Sequence, residues 1–292
     1  MDFDPLFPFL RGHTQVHAGK LRKRGVLVIP VFTFFAVDKG NMALIQYSNG
    51  INMLLDSRRS SERPSPLDYL RQKVSKLDIV AITHPHQDHI TGLEEVCNYY
   101  RPKHFWHCGK YFKPDPVFDD WSFYEKLRKG EVSYCTPMAV RAGQLIRIGD
   151  SEVKVLGPRL PFLEGTVDDA NNNGIILSVE TNQSKLLLTG DTQEEQWDTL
   201  DLSRLTGTSV FLSSHHGRES GFSEKVLRAI RPQRIIISDG TPCDTDATAK
   251  YEKFAPVSTT RENNVVVGGA QQRSNSLRGG SDVNQSQFGA ST

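Results

Sequence analysis

The 292-residue chain has few cysteines, no excess of charge of either sign and no long apolar run. Its four cysteines, Cys97, Cys108, Cys135 and Cys243, are widely spaced and form no C-x-x-C pair, so we expect free, reduced thiols rather than disulfides. Lysine and arginine number 35 against 34 aspartates and glutamates, so no net field draws the protein onto nucleic acid or a membrane.

One segment imitates the start of a secretory signal, because residues 20–24 are basic and residues 26–37 are mostly apolar. The apolar run contains Pro30 and Thr33 and is too short to cross a bilayer. It leads into Asp38-Lys39-Gly40, so we interpret it as a first β-strand that ends in a turn. We therefore expect a cytoplasmic protein with no membrane association.

Strand-like segments recur from residue 26 onwards, and each half of the chain finishes with helical segments. This order predicts an α/β protein in which two sheets pack face to face with helices outside, a four-layer αββα sandwich. We expect residues 1–25 to form an irregular leader and residues 26–268 one domain. Residues 269–292 are rich in Gly, Ser, Gln and Asn and poor in apolar side chains, which predicts a disordered tail.

The most informative segment is Ala-Ile-Thr-His-Pro-His-Gln-Asp-His, which follows a predicted strand and contains His84, His86, Asp88 and His89. Charged imidazoles this close would repel one another, whereas divalent metals take neutral imidazole and carboxylate as ligands. On an extended turn His84 and His86 point the same way, and Asp88 and His89 lie one step further on. The segment can therefore supply two adjacent metals. The alternative is a histidine-rich surface loop.

Two further sites follow predicted strands, namely Asp191 and the pair His215-His216. Each is ambiguous alone, since Gly-Asp after a strand is usually a turn and adjacent histidines have many roles. A carboxylate can bridge two cations, which an imidazole cannot do. Together with the histidine segment, these sites favour a two-metal hydrolase over a coincidence.

These motifs resemble those of the metallo-β-lactamase superfamily. Residues 83–93 match its H-x-H-x-D-H signature, and the Thr-Gly-Asp and terminal histidine elements follow in the same order. Across about residues 26–268 the chain is similar to the hydrolase domain of ComEC-type DNA-uptake competence proteins and its soluble relatives. Residues 37–45 resemble that group's DVGQGDAILI stretch, and residues 214–217 its xHHG element. The resemblance implies the metallo-β-lactamase fold.

The resemblance also implies two divalent metal ions, zinc or manganese. The implied ligands come from all three motifs: His84, His86, Asp88, His89, Asp191 and His216. The first two histidines are assigned to one metal, Asp88 and His89 to the other, and Asp191 to both. His216 completes the second position, while His215 touches a phosphate oxygen or transfers a proton; these two roles can be exchanged.

Three residues receive supporting roles from the resemblance. Asp56 matches the aspartate of the group's LIDxG element and would orient a ligand histidine through its ring N–H; a cap at a strand end is an equal alternative. The superfamily's usual third-motif histidine is absent, and residues 168–173, Asp-Asp-Ala-Asn-Asn-Asn, stand in its place. We expect Asp169 or Asn173 to fill the open metal position directly or through water.

The implied function is hydrolysis of a phosphodiester, in DNA, RNA or a nucleotide. Two cations would hold a shared water or hydroxide, lower its pKa and clamp the phosphate oxygens. Asp88 would also hydrogen-bond the attacking water, and His215 is the candidate acid for the leaving group. One alternative is an acyl hydrolase acting on a lactone, thioester or β-lactam with the same metals. Another is a non-catalytic partner-binding module, against which the intact ligand set argues.

Overall fold

The computed structural model describes residues 30–114, 117, 119–166, 168–181 and 183–268. The predicted leader and the predicted tail lie outside these residues, so the domain boundaries stay predictions. All four cysteines are free thiols, as expected. Within the described ranges, no helix has the length and apolar character needed to span a membrane.

The described residues form strands and short helices that alternate along the chain. The strands are β1 (Val31–Phe34), β2 (Ala43–Gln46), β3 (Asn52–Leu55), β4 (Ile79–Ala81), β5 (His104–His107), β6 (Thr136–Ala139), β7 (Leu145–Ile148), β8 (Ser151–Gly157), β9 (Ile176–Glu180), β10 (Lys185–Leu188), β11 (Val210–Leu212), β12 (Arg234–Ile237), β13 (Val257–Thr259) and β14 (Val265–Gly268). The α-helices are α1 (Pro66–Arg71), α2 (Gln87–Ile90), α3 (Leu93–Tyr100), α4 (Asp119–Arg128), α5 (Asp169–Asn172), α6 (Glu194–Trp197), α7 (Glu224–Ile230) and α8 (Thr248–Tyr251). Short 3₁₀ turns lie at Leu202–Leu205, Ser214–Gly217 and Glu219–Gly221.

The strands make two mixed sheets of seven strands each within the described residues. Their orders are β14-β1-β2-β3-β4-β5-β6 and β13-β12-β11-β10-β9-β8-β7. A central apolar layer joins the sheets and contains side chains of both, for example Ile45 and Leu188. A second layer packs the first sheet on α1, α3 and α4, and a third packs the second sheet on α6, α7 and α8. The predicted αββα sandwich is confirmed.

Residue alternation along the strands explains why both faces of each sheet are apolar. In β2, Ala43 and Ile45 belong to the central layer, whereas Leu44 between them belongs to the outer, helix-covered layer. Successive side chains of a strand point to opposite faces, so a sheet covered on both sides needs a continuous apolar run. Residues 43–45 supply such a run.

Parallel pairing brings the predicted site segments to one edge of each sheet. In the first sheet β3, β4, β5 and β6 are parallel, and in the second β10, β11, β12 and β13 are parallel. Asp56 follows β3, and the histidine segment follows β4. Asp191 follows β10, and the histidine pair follows β11. The carboxyl ends of these strands therefore present Asp56, the histidine segment, Asp191 and the histidine pair together.

The sequence of residues 194–205 predicts a single helix, but this segment is divided in the structure. Helix α6 ends after Trp197, and a separate 3₁₀ turn begins at Leu202. The side chain of Asp201 accepts a hydrogen bond from the backbone N–H of Ser203 (3.3 Å), which starts a new turn there instead of continuing the first.

Candidate metal centre

The turn from β4 into α2 carries the histidine segment. His86 is the residue directly before α2, and Asp88 and His89 lie inside the helix. His84 Nε2 and His86 Nδ1 are 3.1 Å apart, so these two rings face a common point, as their spacing predicts. His84 is fully buried, whereas the side chain of His86 is partly exposed.

Four residues from three motifs form a compact group of potential ligands. Asp88, His89, Asp191 and His216 each offer one atom, and these atoms all lie within 4.8 Å of one another. His89 Nε2 is 3.2 Å from Asp191 Oδ1, and His216 Nε2 is 3.3 Å from Oδ2 of Asp191 and also of Asp88. Ligands bound tetrahedrally at about 2.0–2.1 Å from a zinc ion lie about 3.3 Å apart. The spacing therefore suits a small divalent cation.

Unpartnered buried atoms support the same conclusion. His89 Nε2, His216 Nε2 and Asp191 Oδ1 are buried, and apart from the charge contacts within the group of four none has a hydrogen-bond partner among the described residues. Burying polar atoms without partners is costly, and a bound cation would give all three a partner at once. The residues present fit a divalent metal ion.

Asp191 lies between the two predicted ligand groups. Besides its contacts with His89 and His216, its Oδ2 is 3.9 Å from His84 Nε2. Gly190 permits this position, since it adopts a φ of +52° and a Cβ there would lie 2.9 Å from the Cβ of Thr83. One carboxylate thus faces both groups, which is the position a bridging ligand requires.

Neighbouring charges and burial shift the pKa values of the histidines in the site. Burial lowers the pKa of His216, but the carboxylates of Asp191 and Asp88 outweigh it and raise that pKa to about 9. Burial acts the same way on His89, and Asp191 with Asp56 raises its pKa well above the ordinary value. For His84 burial prevails, reinforced by the neighbouring histidines, so its pKa is well below normal. Without metal, two histidines therefore keep protons that a cation would displace.

The adjacent histidines after β11 differ in their surroundings. Both have left-handed backbone conformations, with φ values of 49° and 56°, which turn their rings apart. His216 is buried, and its Nδ1 lies 3.1 Å from the carbonyl oxygen of Ser238. His215 is partly exposed; its Nδ1 is 2.7 Å from Ser220 Oγ and its Nε2 is 3.7 Å from Asp191 Oδ2. Of the two, only His216 belongs to the group of four.

Asp169 and Asn173 are not brought to the ligand atoms. Asp169 Oδ1 accepts hydrogen bonds from the backbone N–H and the hydroxyl of Thr166. The amide of Asn173 is bonded to the backbone of Leu163 and Asp169. Both side chains brace the loop before α5, so the expectation that one of them fills the place of the missing histidine does not agree with this geometry.

The structure adds residues that sequence reasoning missed. Asp168 Oδ1 lies 3.8 Å from His86 Nε2 while also capping α5. Ser220 and the Ser238 carbonyl contact the histidine pair, and Arg218 follows it after Gly217. Asp168 stood in the segment that the sequence had singled out, but isolated serines and a single arginine gave no signal.

A family model confirms the recognition drawn from the motifs. The model described as the metallo-beta-lactamase superfamily matches residues 36–234. The chain therefore belongs to the metallo-beta-lactamase superfamily, and we class it with the metal-dependent hydrolases of that superfamily.

The curated proteins similar to this chain align with only part of it. ComE operon protein 3 of Bacillus subtilis (strain 168) is 27% identical over 170 residues, which are 57% of this chain and 20% of that protein. The Anti-Pycsar protein Apyc1 of Bacillus phage 010DV004 is 46% identical over 59 residues, 20% of this chain and 22% of that protein. The chain thus spans about a fifth of the length of these curated relatives.

Among solved structures, the metallo-beta-lactamase fold protein YhfI of Bacillus subtilis is similar with a TM-score of 0.56 and 13% identity. The alignment covers 82% of this chain and 100% of that one. At this level of identity the similarity shows the shared fold alone.

Proposed function

We propose that this protein is a dinuclear, metal-dependent phosphodiesterase that acts on nucleic acid or a nucleotide. The observation that carries the proposal is the position of Asp191, whose carboxylate faces His84 on one side and His89 and His216 on the other. A carboxylate shared by two histidine groups is suited to hold two cations of zinc or manganese close together. His84 and His86 would hold the first cation, and Asp88, His89 and His216 the second.

Bound cations of this kind supply a water of lowered pKa and a positive charge for phosphate oxygens. The residues of the chain would position the attacking water and assist the leaving group. Asp88 lies at the partly exposed rim of the group, where its carboxylate can accept a hydrogen bond from the attacking water. His215 is fixed by Ser220 with its Nε2 towards Asp191, so it can hold a phosphate oxygen or give a proton to the leaving group.

Arg218 supports a phosphate over an uncharged acyl substrate. Its Nε atom is buried, and it has no hydrogen-bond partner in the part of the chain that the structure describes. The positive charge of Arg218 contributes, after burial, to lowering the pKa of His215, and it also acts on Asp239. The backbone N–H of Arg218 also donates to the carbonyl oxygen of His215 (3.1 Å), so Arg218 belongs to the turn that carries the histidine pair. Planar guanidinium groups bind phosphate oxygens through paired N–H donors.

A substrate panel tests the proposal. With zinc or manganese, the purified protein should hydrolyse bis-p-nitrophenyl phosphate or a DNA or RNA strand, and a chelator should abolish this. Arg218→Gln should raise KM for the nucleic acid more than for the small phosphodiester, because the longer substrate carries further phosphates. Arg228→Gln, which removes an exposed arginine paired with Glu224 on α7, is the matched control and should change neither. Hydrolysis of nitrocefin or a homoserine lactone without phosphodiesterase activity would contradict the proposal.

A further inference from the structure

Asn171 has a buried side chain whose amide makes no hydrogen bond among the described residues. It lies in α5, and the residue is 1% exposed. Neither the amide oxygen nor the amide nitrogen has a hydrogen-bond partner among the described residues. A buried amide is normally bonded, so this one requires an explanation.

The two asparagines that follow Asn171 show what a structural role looks like in this segment. Asn172 accepts a hydrogen bond from the backbone N–H of Gln193 (3.2 Å) and donates one to Glu195 (2.9 Å). Asn173 uses both its amide atoms on backbone groups of the preceding loop. Of the three asparagines, only Asn171 has a side-chain amide with no hydrogen-bond partner among the described residues.

Backbone contacts tie Asn171 to the first group of histidines. Its N–H donates to Asp168 Oδ1 (3.1 Å), and that same oxygen is 3.8 Å from His86 Nε2. Its carbonyl oxygen accepts from Gly174 N, whose neighbour Ile175 donates to the carbonyl oxygen of Thr83, the residue before His84. A Cβ at Gly174 would lie 3.2 Å from the carbonyl oxygen of Asn171 and 3.6 Å from the Cβ of His84, so the backbone of Asn171 is close to His84. This is the segment where the sequence lacks the third histidine of the superfamily.

We propose that the amide oxygen of Asn171 is a ligand of the first metal position, together with His84, His86 and Asp191. The inference rests on the dinuclear part of the proposed function but not on the phosphodiester substrate. A neutral amide oxygen is a hard ligand that suits manganese, whereas imidazole suits zinc well. An oxygen in place of a histidine nitrogen therefore shifts the first position towards manganese, relative to the same position with a third histidine as its ligand.

Three substitutions at this position separate a ligand from a structural residue. Asn171→Leu removes the ligand atom and keeps the volume, Asn171→Asp keeps an oxygen and adds charge, and Asn171→His restores a nitrogen ligand. Melting temperature is measured on metal-free protein, and binding of manganese and zinc by calorimetry. Neither readout depends on activity.

We expect metal-free Asn171→Leu to melt at or above the wild-type temperature, because an unpartnered buried amide has been replaced by an apolar group. It should bind the first equivalent of manganese at least about tenfold more weakly, within the range for lost metal-site partners. Asn171→Asp should keep two equivalents, and Asn171→His should favour zinc. Asn172→Leu, the matched control, should lower the melting temperature but keep both equivalents.

The proposal is overturned if Asn171→Leu lowers the metal-free melting temperature and still binds two equivalents as the wild type does. It also fails if Asp168→Asn loses the first equivalent while Asn171→Leu retains it, since Asp168 would then be the ligand. A wild-type protein that binds only one equivalent would refute the dinuclear assignment itself. Two bound equivalents without phosphodiesterase activity would refute the substrate assignment and leave Asn171 as a ligand.

Discussion

His89 Nδ1 lies 2.9 Å from Asp56 Oδ2, and both residues are fully buried. Asp56 Oδ1 also accepts the backbone N–H of Thr83 at 2.7 Å, and Asp56 has a left-handed backbone with a φ of 57°. The carboxylate therefore does two things at once. It turns Nε2 of His89 towards Asp191, and it anchors the start of the histidine segment to the end of β3. The sequence had left orientation and capping as alternatives.

Asp56→Asn should weaken metal binding without unfolding the protein. Asparagine tolerates the left-handed backbone, but its neutral amide supports the His89 ring less well than a carboxylate does. We expect about 10–100-fold lower affinity for zinc, the usual cost of removing such a partner. Asp78→Asn, which removes a carboxylate that accepts Asn52 N–H away from the site, is the control for titration calorimetry. Unchanged zinc affinity in Asp56→Asn would show that the contact is structural only.

Metal binding should release protons and weaken as the pH falls. His216 has a pKa raised to about 9 by its carboxylate neighbours, so it is charged at neutral pH without metal. A ligand imidazole must be neutral, so each displaced proton makes the apparent affinity fall about tenfold per pH unit below that pKa. Calorimetry in buffers of different ionisation enthalpy counts the protons. Binding that is independent of pH between 6.5 and 8.5 would contradict the assignment of His216.

In the metal-free protein, the same raised pKa of His216 makes the fold less stable as the pH rises. The charged His216 is stabilised by Asp191 and Asp88, so its contribution is complete below pH 6.5 and is lost as the pH rises through about 9. The melting temperature of metal-free protein should therefore fall over this range, and that of His216→Gln should change less. Equal slopes for the two proteins would show that the histidine is not charged in the metal-free fold.

The histidine pair should separate into two roles. His216→Ala should lose a metal equivalent and turnover, because its Nε2 is one of four converging ligand atoms. His215→Ala should keep both equivalents and lose most of its kcat. Ser220→Ala should lower kcat with little change in metal content, since it frees the His215 ring. Elemental analysis, combined with measurements of kcat and KM, tests this assignment. Loss of metal in His215→Ala with retention in His216→Ala would reverse it.

The structure brings the predicted site segments together, but the sequence could not choose among adjacent residues. Residues 168–173 were recognised as the replacement for a missing histidine, yet the structure leaves Asn171 unpartnered and directs Asn173 to the loop backbone. Successive residues of a helical turn point about 100° apart, so a shift of one residue changes the partner. The start of α5 is set by the Asp168 cap, whose competing neighbour Asp169 looks the same in sequence.

Some elements of the fold could not be predicted from the sequence, for physical reasons. No strand is predicted at β6, because Pro137 interrupts the apolar pattern there. The strand is at the edge of its sheet, where a missing N–H is tolerated. The spacing of residues 67–77 predicts a helix, but α1 ends early, at Arg71. The sequence predicts strands at residues 42–47 and 185–189, and β2 and β10 lie at nearly these positions. Burial on both faces of a sheet leaves little choice of residue type, so such segments are easy to recognise.

His107 should make the protein sensitive to acid independently of the metal site. Burial, followed by the charges of Arg128 and Arg141, lowers its pKa to about 4, and its Nδ1 accepts a hydrogen bond from Gly109 N–H. The unfolded chain takes up this proton near pH 6.5, so stability is lost as the pH falls from 6.5 towards 4, by up to about 2–3 kcal/mol. His107→Asn keeps an acceptor and cannot be protonated. Between pH 6.5 and pH 4.5, the metal-free variant should therefore lose less of its free energy of unfolding in urea than the metal-free wild type. His104→Asn on the same strand is the control, and identical pH slopes for wild type and His107→Asn would contradict this account.

The most direct test of the central claim is phosphodiester hydrolysis measured against metal content. Metal-free protein is titrated with manganese or zinc, and the rate with bis-p-nitrophenyl phosphate is followed at each occupancy in wild type and Asp191→Ala. Asp191 contacts both ligand groups, so the account predicts that activity appears as the second equivalent binds and that Asp191→Ala is inactive and holds fewer ions. Full activity in Asp191→Ala, or a wild-type protein that binds no metal, would contradict it.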